Sequence, residues 1–341
     1  MTAKTARLPV GVSDPPLSPA RVACVSPLRL HLILMPTEAC NFRCVYCYET
    51  FALKRMRPDV VTGVKRLLSQ RASDLTLLLL SWFGGEPLLA PDIMEDVMGH
   101  ARGLAARNPD LAIRADATTN GSLLNDAMAD RLFAAGVRDF QISLDGPAAW
   151  HDRKRVRPGG GATFEGIWRN LLALKTRPER FHVTLRVHVD RDNVDAIPEF
   201  LPRLGSEFSG DDRFDLFIRT VSRLGGPRDA DLPILSEDES PAILASLRQR
   251  AEQLGLKLAG ANAGEKICYA AHANSFLVRA DGRLNKCTVA LESPANQVGR
   301  IHEDGTVELT RERVLPWMRG LQSGEAAALA CPLRKISSGS Q

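Results

Sequence analysis

The feature that most constrains this chain is a regular alternation of strand and helix patterns. Between residues 28 and 255, six apolar or alternating runs are each followed by a segment in which apolar residues recur with helical spacing. The run at residues 75–83 is almost continuously apolar, as expected of a strand that is buried on both faces. Such alternation predicts an α/β fold with a parallel sheet and right-handed crossovers. Six repeats are too few for a closed eight-stranded barrel, so we predict an open, partial (β/α)6 TIM-like barrel.

The pattern divides the chain into three parts. Residues 1–27 contain four prolines before Arg21 and no continuous apolar core, which predicts an extended tail and no secretory signal. Residues 28–255 hold the partial barrel. After residue 255 the alternation stops, and residues 273–290 predict a β-hairpin that turns at Asp281 and Gly282. We therefore predict a small domain containing this hairpin over residues 256–341.

The composition excludes several classes of protein. The net charge of +4 is too small to indicate a nucleic-acid partner, and no apolar run approaches the roughly 20 residues that cross a membrane. Seven cysteines in 341 residues are too few for a secreted disulfide scaffold. We expect a cytoplasmic protein that binds neither nucleic acid nor membrane. The isolated Cys24 is interpreted as a small apolar residue near the first strand.

Three of the seven cysteines lie in the loop after the first strand. Cys40, Cys44 and Cys47 have the spacing C-x3-C-x2-C, and no histidine lies among them. Thiolates are ligands of soft metals, and structural zinc sites usually take four protein ligands. Three thiolates on a four-iron cluster would leave one iron open. The spacing therefore favours an iron–sulfur cluster, with a zinc site completed by a distant residue, or chance clustering, as the alternatives.

Glycines and polar residues follow the next three strands. The motifs are "WFGGEP" at residues 82–87, "TTNG" at 118–121 and "SLDG" at 143–146. Each also fits an ordinary turn, because glycine, proline, asparagine and aspartate are common turn residues. Functional residues of barrels lie where strands end, however, so we interpret the three motifs as parts of one site. Ser143 and Asp145 alternate along the strand and are predicted to face the same way, as would suit a ribose diol.

The first loop resembles the signature of the radical S-adenosylmethionine (SAM) superfamily. In that family the three cysteines hold a [4Fe–4S] cluster, and SAM binds the fourth iron. The resemblance implies that Tyr46 lies near the adenine. "GGEP" matches a family motif whose backbone and glutamate bind the SAM ammonium, which implies roles for Gly84, Gly85 and Glu86. The corresponding position at the third strand end implies that Asn120 faces the SAM pocket.

The residues that follow the fourth strand narrow the resemblance to particular groups within this superfamily. The run from "SLDG" through "HDRKR" to "ATF" is similar to peptide-modifying and sulfatase-maturing members of the family. It implies that Ser143 and Asp145 contact SAM and that Arg155 pairs with its carboxylate, since a guanidinium binds carboxylates in a bidentate manner.

Two later strands carry weaker candidates. Arg186 and His188 share one face of the fifth strand, and Arg219 lies on the sixth. We interpret them as possible substrate contacts, with a hydrogen-bonded core histidine as the alternative for His188.

The last quarter of the chain holds Cys268, Cys287 and Cys331. These three cysteines can be interpreted without reference to a family as buried structural thiols or as ligands of a structural zinc ion. The segment also resembles the SPASM and twitch extensions of radical SAM enzymes, which carry auxiliary iron–sulfur clusters. Full SPASM members continue with more cysteines after the position of Cys331, so the resemblance implies at most one auxiliary cluster with an open ligand position. Candidates for that position are the substrate, Cys24, His272 and Asp281.

The resemblance implies a radical SAM enzyme that cleaves SAM to a 5′-deoxyadenosyl radical and takes a hydrogen atom from a substrate. We expect a ribosomally made peptide that receives a C–C, C–O or thioether cross-link. The expected partners are a flavodoxin or ferredoxin reductant and a separate leader-peptide-binding protein. The alternatives are an anaerobic sulfatase maturase that makes formylglycine, a twitch-type dehydrogenase of a small molecule, and a non-enzymatic iron–sulfur or zinc module.

Overall fold

The structure is a computed structural model that describes residues 18–260 and 264–337. Within these residues, ten strands form one sheet. The strands are β1 Arg29–Thr37, β2 Leu77–Gly84, β3 Ala112–Thr119, β4 Asp139–Leu144, β5 His182–Val189, β6 Phe214–Thr220, β7 Ser275–Val278, β8 Arg283–Asn285, β9 Gln297–Ile301 and β10 Val307–Leu309. The helices are α1 Pro19–Val25, α2 Pro58–Arg71, α3 Pro91–Ala105, α4 Asp126–Ala135, α5 Ala148–Lys154, α6 Phe164–Thr176, α7 Ile197–Phe208, α8 Glu239–Gln253, α9 Arg311–Ser323, α10 Ala326–Ala330 and α11 Pro332–Ser337.

The first six strands are parallel and lie side by side in chain order. Helices α2, α3, α4, α6 and α7 connect them, and α8 follows β6. Most of the buried apolar residues of strands and helices form one main core. The predicted α/β fold with a partial (β/α)6 barrel is therefore confirmed, and the carboxyl ends of the six strands meet at one edge.

Side chains at the helix ends explain where two of these helices begin. The side chain of Asn125 accepts a hydrogen bond from Met128 N at the start of α4, as expected of an N-cap residue. Thr163 occupies the N-cap position of α6, but its hydroxyl donates to Arg155 O and accepts no hydrogen bond from the helix backbone. A carboxylate from the preceding helix takes its place, because Asp152 Oδ1 accepts from the backbone N–H of residues 163 and 164.

The C-terminal strands extend the same sheet. β7 and β8 form the predicted antiparallel hairpin, and Gly282 in its turn has a φ of +87°. The pairing of β7 with β1 is parallel and was not predicted; it places Ser275 beside His31. β9 and β10 continue the sheet beyond β8. Residues of both parts belong to one apolar core, so the domain boundary at residue 255 stays a prediction.

The predicted extended tail is wrong for residues 19–25, which form α1. Ser18 caps this helix by accepting from Arg21 N. Cys24 is buried on the helix face that packs against Leu321 and Leu329, so its apolar role holds but its setting is a helix. Residues 1–17 of the predicted tail lie outside the described residues. Among the helices that are described, none combines the length and apolarity needed to span a bilayer.

Candidate active site

A cleft lies at the carboxyl ends of the six parallel strands. The loop after β1 forms one wall, and residues at or after the ends of β2 to β6 form the others. The residues predicted from the sequence that line the cleft are Cys40, Cys44, Tyr46, Cys47, Gly84, Gly85, Asn120, Ser143, Arg155, Arg186, His188 and Arg219. Glu86 and Asp145 do not line the cleft and lie behind its wall, fully buried.

The cysteine loop is fixed by backbone contacts with the segment that ends α5. Arg43 N donates to Val156 O over 2.6 Å, and Val45 N donates to Lys154 O over 2.8 Å. Phe42, between these contacts and the first cysteine, is fully buried and anchors the loop in the core. Helix α5 therefore positions the cysteines, a structural role that the sequence did not predict.

The three thiols share the cleft but are protonated in the absence of a metal. Burial raises the pKa of Cys40 and Cys47 to about 12, and it also raises the pKa of Cys44, against the opposing charge of Arg155. In the described ranges, no three histidine, cysteine, aspartate or glutamate side chains are already arranged to hold a metal ion. Three soft donors on one wall, next to the cation of Arg155, nevertheless fit a cluster whose binding displaces the thiol protons.

The two glycines after β2 allow the chain to pass close to itself. A Cβ on Gly84 would lie 2.3 Å from Thr37 O, and one on Gly85 would lie 2.4 Å from Ala39 O. Gly84 also has a φ of +116°, which favours glycine. The sequence interpretation was a close approach of the backbone to a ligand. In the structure the glycines bring β2 against the start of the cysteine loop.

Glu86 joins the ends of β2 and β3. Its carboxylate accepts hydrogen bonds from Leu88 N, from Thr119 Oγ1 over 2.7 Å and from Asn120 N over 2.7 Å. Burial raises the pKa of Glu86, and these donors act in the opposite direction. The Asn120 amide in turn donates to Asn41 Oδ1 in the cysteine loop. Glu86 thus supports the wall of the cleft through Asn120, and its predicted contact with SAM stays a prediction.

Asp145 holds together two side chains that line the cleft. Its Oδ2 accepts from the hydroxyl of Tyr46 over 2.6 Å, and its Oδ1 accepts from Nδ1 of His188 over 3.0 Å. Arg155 Nη1 donates to the same Tyr46 hydroxyl over 2.7 Å. β4 ends at Leu144, so the alternation that predicted a shared direction for Ser143 and Asp145 does not extend to Asp145.

The charges in this network are set by burial and by Arg155. Burial by itself would raise the pKa of Asp145, but the hydrogen bond from His188 and the charge of Arg155 bring it well below its usual range. Burial and the charge of Arg186 lower the pKa of His188 to about 4. His188 is therefore neutral near pH 7, and its Nδ1–H donates to the Asp145 carboxylate.

Comparison with known proteins identifies the family of about half of this chain. Residues 34–201 match the family model described as the Radical SAM superfamily. These residues form a radical SAM domain. Proteins of this family use a [4Fe–4S] cluster and S-adenosylmethionine, which confirms those two predicted cofactors. The matched range begins within β1, contains β2 to β5 and includes every predicted SAM-contacting residue.

Among the proteins that resemble this chain are two curated relatives and one solved structure. The PqqA peptide cyclase of Xanthomonas axonopodis pv. citri (strain 306) is 29% identical over 180 residues, which cover 51% of this chain and 44% of the cyclase. The AdoMet-dependent heme synthase of Methanosarcina barkeri (strain Fusaro / DSM 804) is 29% identical over 162 residues, covering 47% and 43%. The alignments thus span less than half of each relative. The structure of native anSMEcpe with bound AdoMet and Cp18Cys peptide has a TM-score of 0.64 at 19% identity, covering 84% of this chain and 80% of that one.

Beyond the radical SAM domain, the fold brings the last three cysteines together. Cys268 N donates to Leu329 O over 2.8 Å, close to Cys331 in sequence. Cys287 is held by Asn296, which accepts from its N–H and donates to its carbonyl oxygen. Burial and the neighbouring Cys268 and Cys331 raise the pKa of the Cys287 thiol to about 11. The grouping fits the predicted auxiliary site, whose metal content stays a prediction.

Two of the proposed fourth ligands have other partners. The Cys24 thiol donates to Ala20 O within α1, and the Asp281 carboxylate pairs with Arg283 over 2.7 Å. His272 is partly exposed next to the Cys268 segment.

The cleft also contains residues that the sequence did not indicate. Glu49 is buried, and its Oε2 has no hydrogen-bond partner among the residues that the structure describes. Burial together with the charge of Glu38 raises the pKa of Glu49 to about 8. Thr288 and Val289 reach the cleft from the C-terminal strands. No pattern in the sequence predicts the contacts of Thr288 and Val289, because they depend on the pairing of β7 with β1.

Proposed function

We propose that this chain is a radical SAM enzyme that modifies a peptide. The observation that carries the proposal is the shared cleft, in which Cys40, Cys44 and Cys47 face the strand-end residues of a parallel barrel. A structural or electron-transfer module would need the thiols but would not need this lined cavity beside them.

The cluster and SAM, when bound, supply a 5′-deoxyadenosyl radical that removes a hydrogen atom from the substrate. The three thiolates of the loop would hold the cluster. Arg155 acts electrostatically on Cys44, so its guanidinium can balance the thiolate charge and bind the SAM carboxylate. Tyr46, whose hydroxyl is fixed by Arg155 and Asp145, would orient the adenine. Ser143, Gly84, Gly85 and Asn120 would complete the SAM pocket.

A peptide is the substrate class with the broader support. The cyclase relative is named for the PqqA peptide, and the anSMEcpe structure holds the Cp18Cys peptide. The heme synthase relative is named for another class of substrate. We propose a cross-linking reaction on a ribosomally made peptide in the cytoplasm. The partner proteins would be a flavodoxin or ferredoxin and a separate leader-peptide-binding protein. One auxiliary cluster would be bound at Cys268, Cys287 and Cys331.

The decisive experiment is an assay of SAM cleavage. Anaerobically reconstituted protein is mixed with SAM and dithionite, and 5′-deoxyadenosine is measured by liquid chromatography. We expect the wild type to produce it and the Cys40→Ala variant to fall to background. Cys24→Ala is the matched control, because Cys24 lies in α1 outside the cleft. The enzyme proposal is lost if the wild type gives no 5′-deoxyadenosine although its iron and sulfide content indicates an assembled cluster.

A further inference from the structure

Arg186 and Arg219 form a pair of like charges in the cleft. They lie on the neighbouring strands β5 and β6, and both line the cavity. The two charges are close enough to matter, because burial and the charge of Arg219 lower the pKa of Arg186 to about 10. Burial lowers the pKa of Arg219 as well. The fold thus places two guanidinium groups in one partly buried space.

In the described part of the chain neither arginine forms an ion pair with a carboxylate, although the charge of Asp145, behind the wall of the cleft, acts favourably on Arg186. Within residues 18–260 and 264–337, no ion pair or hydrogen bond involves the side chain of Arg186 or Arg219, and Arg186 Nε is a buried donor without an acceptor. Glu49, the acidic side chain that lines the same cleft, is coupled to Glu38 and Arg279 instead. A buried charge is costly unless it is paired, so the arrangement is complete only with an anion from outside the chain.

The position of the pair separates it from the expected SAM carboxylate site. Arg155 acts on Cys44 and Cys47 and donates to Tyr46, so it lies beside the cysteine loop. Arg186 and Arg219 lie on β5 and β6 instead, where Arg219 acts on Tyr48 and Arg186 acts on Tyr46, Tyr48 and Asp145. Arg155 therefore suffices to bind the SAM carboxylate near the thiols, and Arg186 and Arg219 are available to bind a second anion.

We propose that Arg186 and Arg219 together bind a carboxylate of the peptide substrate, which thereby places the reacting residue in the cleft. This inference rests on the proposed function. Carboxylates fit because a guanidinium offers parallel N–H donors that match their two oxygens. The carboxylate is supplied by an aspartate or glutamate side chain or by the peptide C-terminus.

The test uses four pools of synthetic nine-residue peptides with otherwise random sequences. Two pools contain aspartate and glutamate, and the other two contain asparagine and glutamine in their place. In each of these pairs, one pool has a free C-terminal carboxylate and the other has an amidated C-terminus. Reconstituted enzyme with SAM is incubated anaerobically with each pool, and the retained peptides are quantified by mass spectrometry. The four arms separate side-chain from terminal carboxylates.

We expect the wild type to retain at least one carboxylate-containing pool about tenfold better than the amidated asparagine and glutamine pool. The Arg186→Gln/Arg219→Gln variant should lose this preference and keep the thermal unfolding midpoint of the wild type. The matched control is Arg114→Gln on β3, an exposed arginine outside the cleft, which should retain the preference.

Three results would overturn the inference: equal retention of all pools by the wild type, an unchanged preference in the double variant, or a tenfold rise in its SAM dissociation constant. The last result would assign the pair to the cofactor carboxylate. If the wild type forms 5′-deoxyadenosine but shows no preference, this inference alone fails. Absence of 5′-deoxyadenosine would count against the proposed function instead.

Discussion

The two groups of cysteines in this molecule are assembled differently. Cys40, Cys44 and Cys47 lie in one loop, whereas Cys268, Cys287 and Cys331 come from three segments of the C-terminal part. The first group depends on a few backbone contacts from α5. The second depends on Asn296, on the Cys268–Leu329 backbone bond and on the packing of α9 to α11. A local site is encoded by spacing, whereas a dispersed site exists only when distant segments fold together.

The largest expected effect separates the two groups by function. Cys44→Ala should reduce 5′-deoxyadenosine formation more than about 100-fold, because the cofactor that the loop holds carries the chemistry. Cys287→Ala should keep SAM cleavage and lose about four iron atoms per chain if the auxiliary site holds a [4Fe–4S] cluster. Liquid chromatography and iron analysis measure both. Equal losses of cleavage in the two variants would contradict the proposed division of roles.

A smaller effect tests the contact that joins the two regions. Arg279, fully buried near β7, pairs with Glu38 at the start of the cysteine loop over 2.6 Å. Arg279→Met leaves Glu38 buried without its partner and should lower the free energy of unfolding by about 3–5 kcal/mol. Chemical denaturation measures the change.

The control for this prediction is Arg283→Met. Arg283 pairs with Asp281 and with the half-exposed Glu292, so its loss should cost less than about 1 kcal/mol. If the two variants are equally stable, the ion pair between Arg279 and Glu38 does not join the regions energetically.

Asn296 should contribute less than Arg279, because it connects segments within the C-terminal part alone. Its amide oxygen accepts from Lys286 N and Cys287 N, and its nitrogen donates to the carbonyl oxygens of Cys287 and Val289. Asn296→Ala leaves these buried groups unpaired and should cost about 2–3 kcal/mol. Thermal unfolding measures the loss.

Asn274→Ala provides the comparison for Asn296, since the Asn274 amide makes one partly buried hydrogen bond, to Ser26 O. Its expected cost is about 1 kcal/mol. If Asn274→Ala lowers the stability more than Asn296→Ala does, the hydrogen bonds between Asn296 and the Cys287 segment do not determine the stability of the protein.

The smallest effect concerns a titratable group of the barrel. Burial raises the pKa of Asp116 on β3 to about 6, above its ordinary value, although Ser81 donates a hydrogen bond to it. The folded state therefore holds the proton more tightly than the unfolded state. This stabilisation is present at pH 3 and is lost as the pH rises through about 6.

Replacing Asp116 with asparagine removes the cost of the buried charge. Asp116→Asn should be more stable than the wild type by about 1–3 kcal/mol at pH 8, with a smaller difference at pH 4. Urea denaturation at the two pH values provides the measurement. A difference that is independent of pH would mean that Asp116 is charged in the folded protein throughout this range.

The sequence predicted the strands of the barrel better than the helix and the side-chain contacts that hold the cysteine loop. All six parallel strands and the hairpin were predicted, because period-two patterns and turn residues are local signals. Helix α5, which contains most of the charged run "HDRKR", was not predicted. It is a helix in which His151 and Lys154 are buried, and Lys154 pairs with Asp190. A pattern of charges cannot predict burial when the partner lies on another strand end.

The sequence by itself determined the order of strands and helices, the crowding of three cysteines in one loop, and the polar residues at the strand ends. These are local properties of spacing and residue type. Tertiary structure decided which of those polar residues reach the cleft. The carboxylates of Glu86 and Asp145 accept hydrogen bonds from neighbouring donors, whereas Arg186 and Arg219 form no ion pair within residues 18–260 and 264–337. The difference is physical: a side chain is available to a ligand only when no group from a distant segment has already satisfied it.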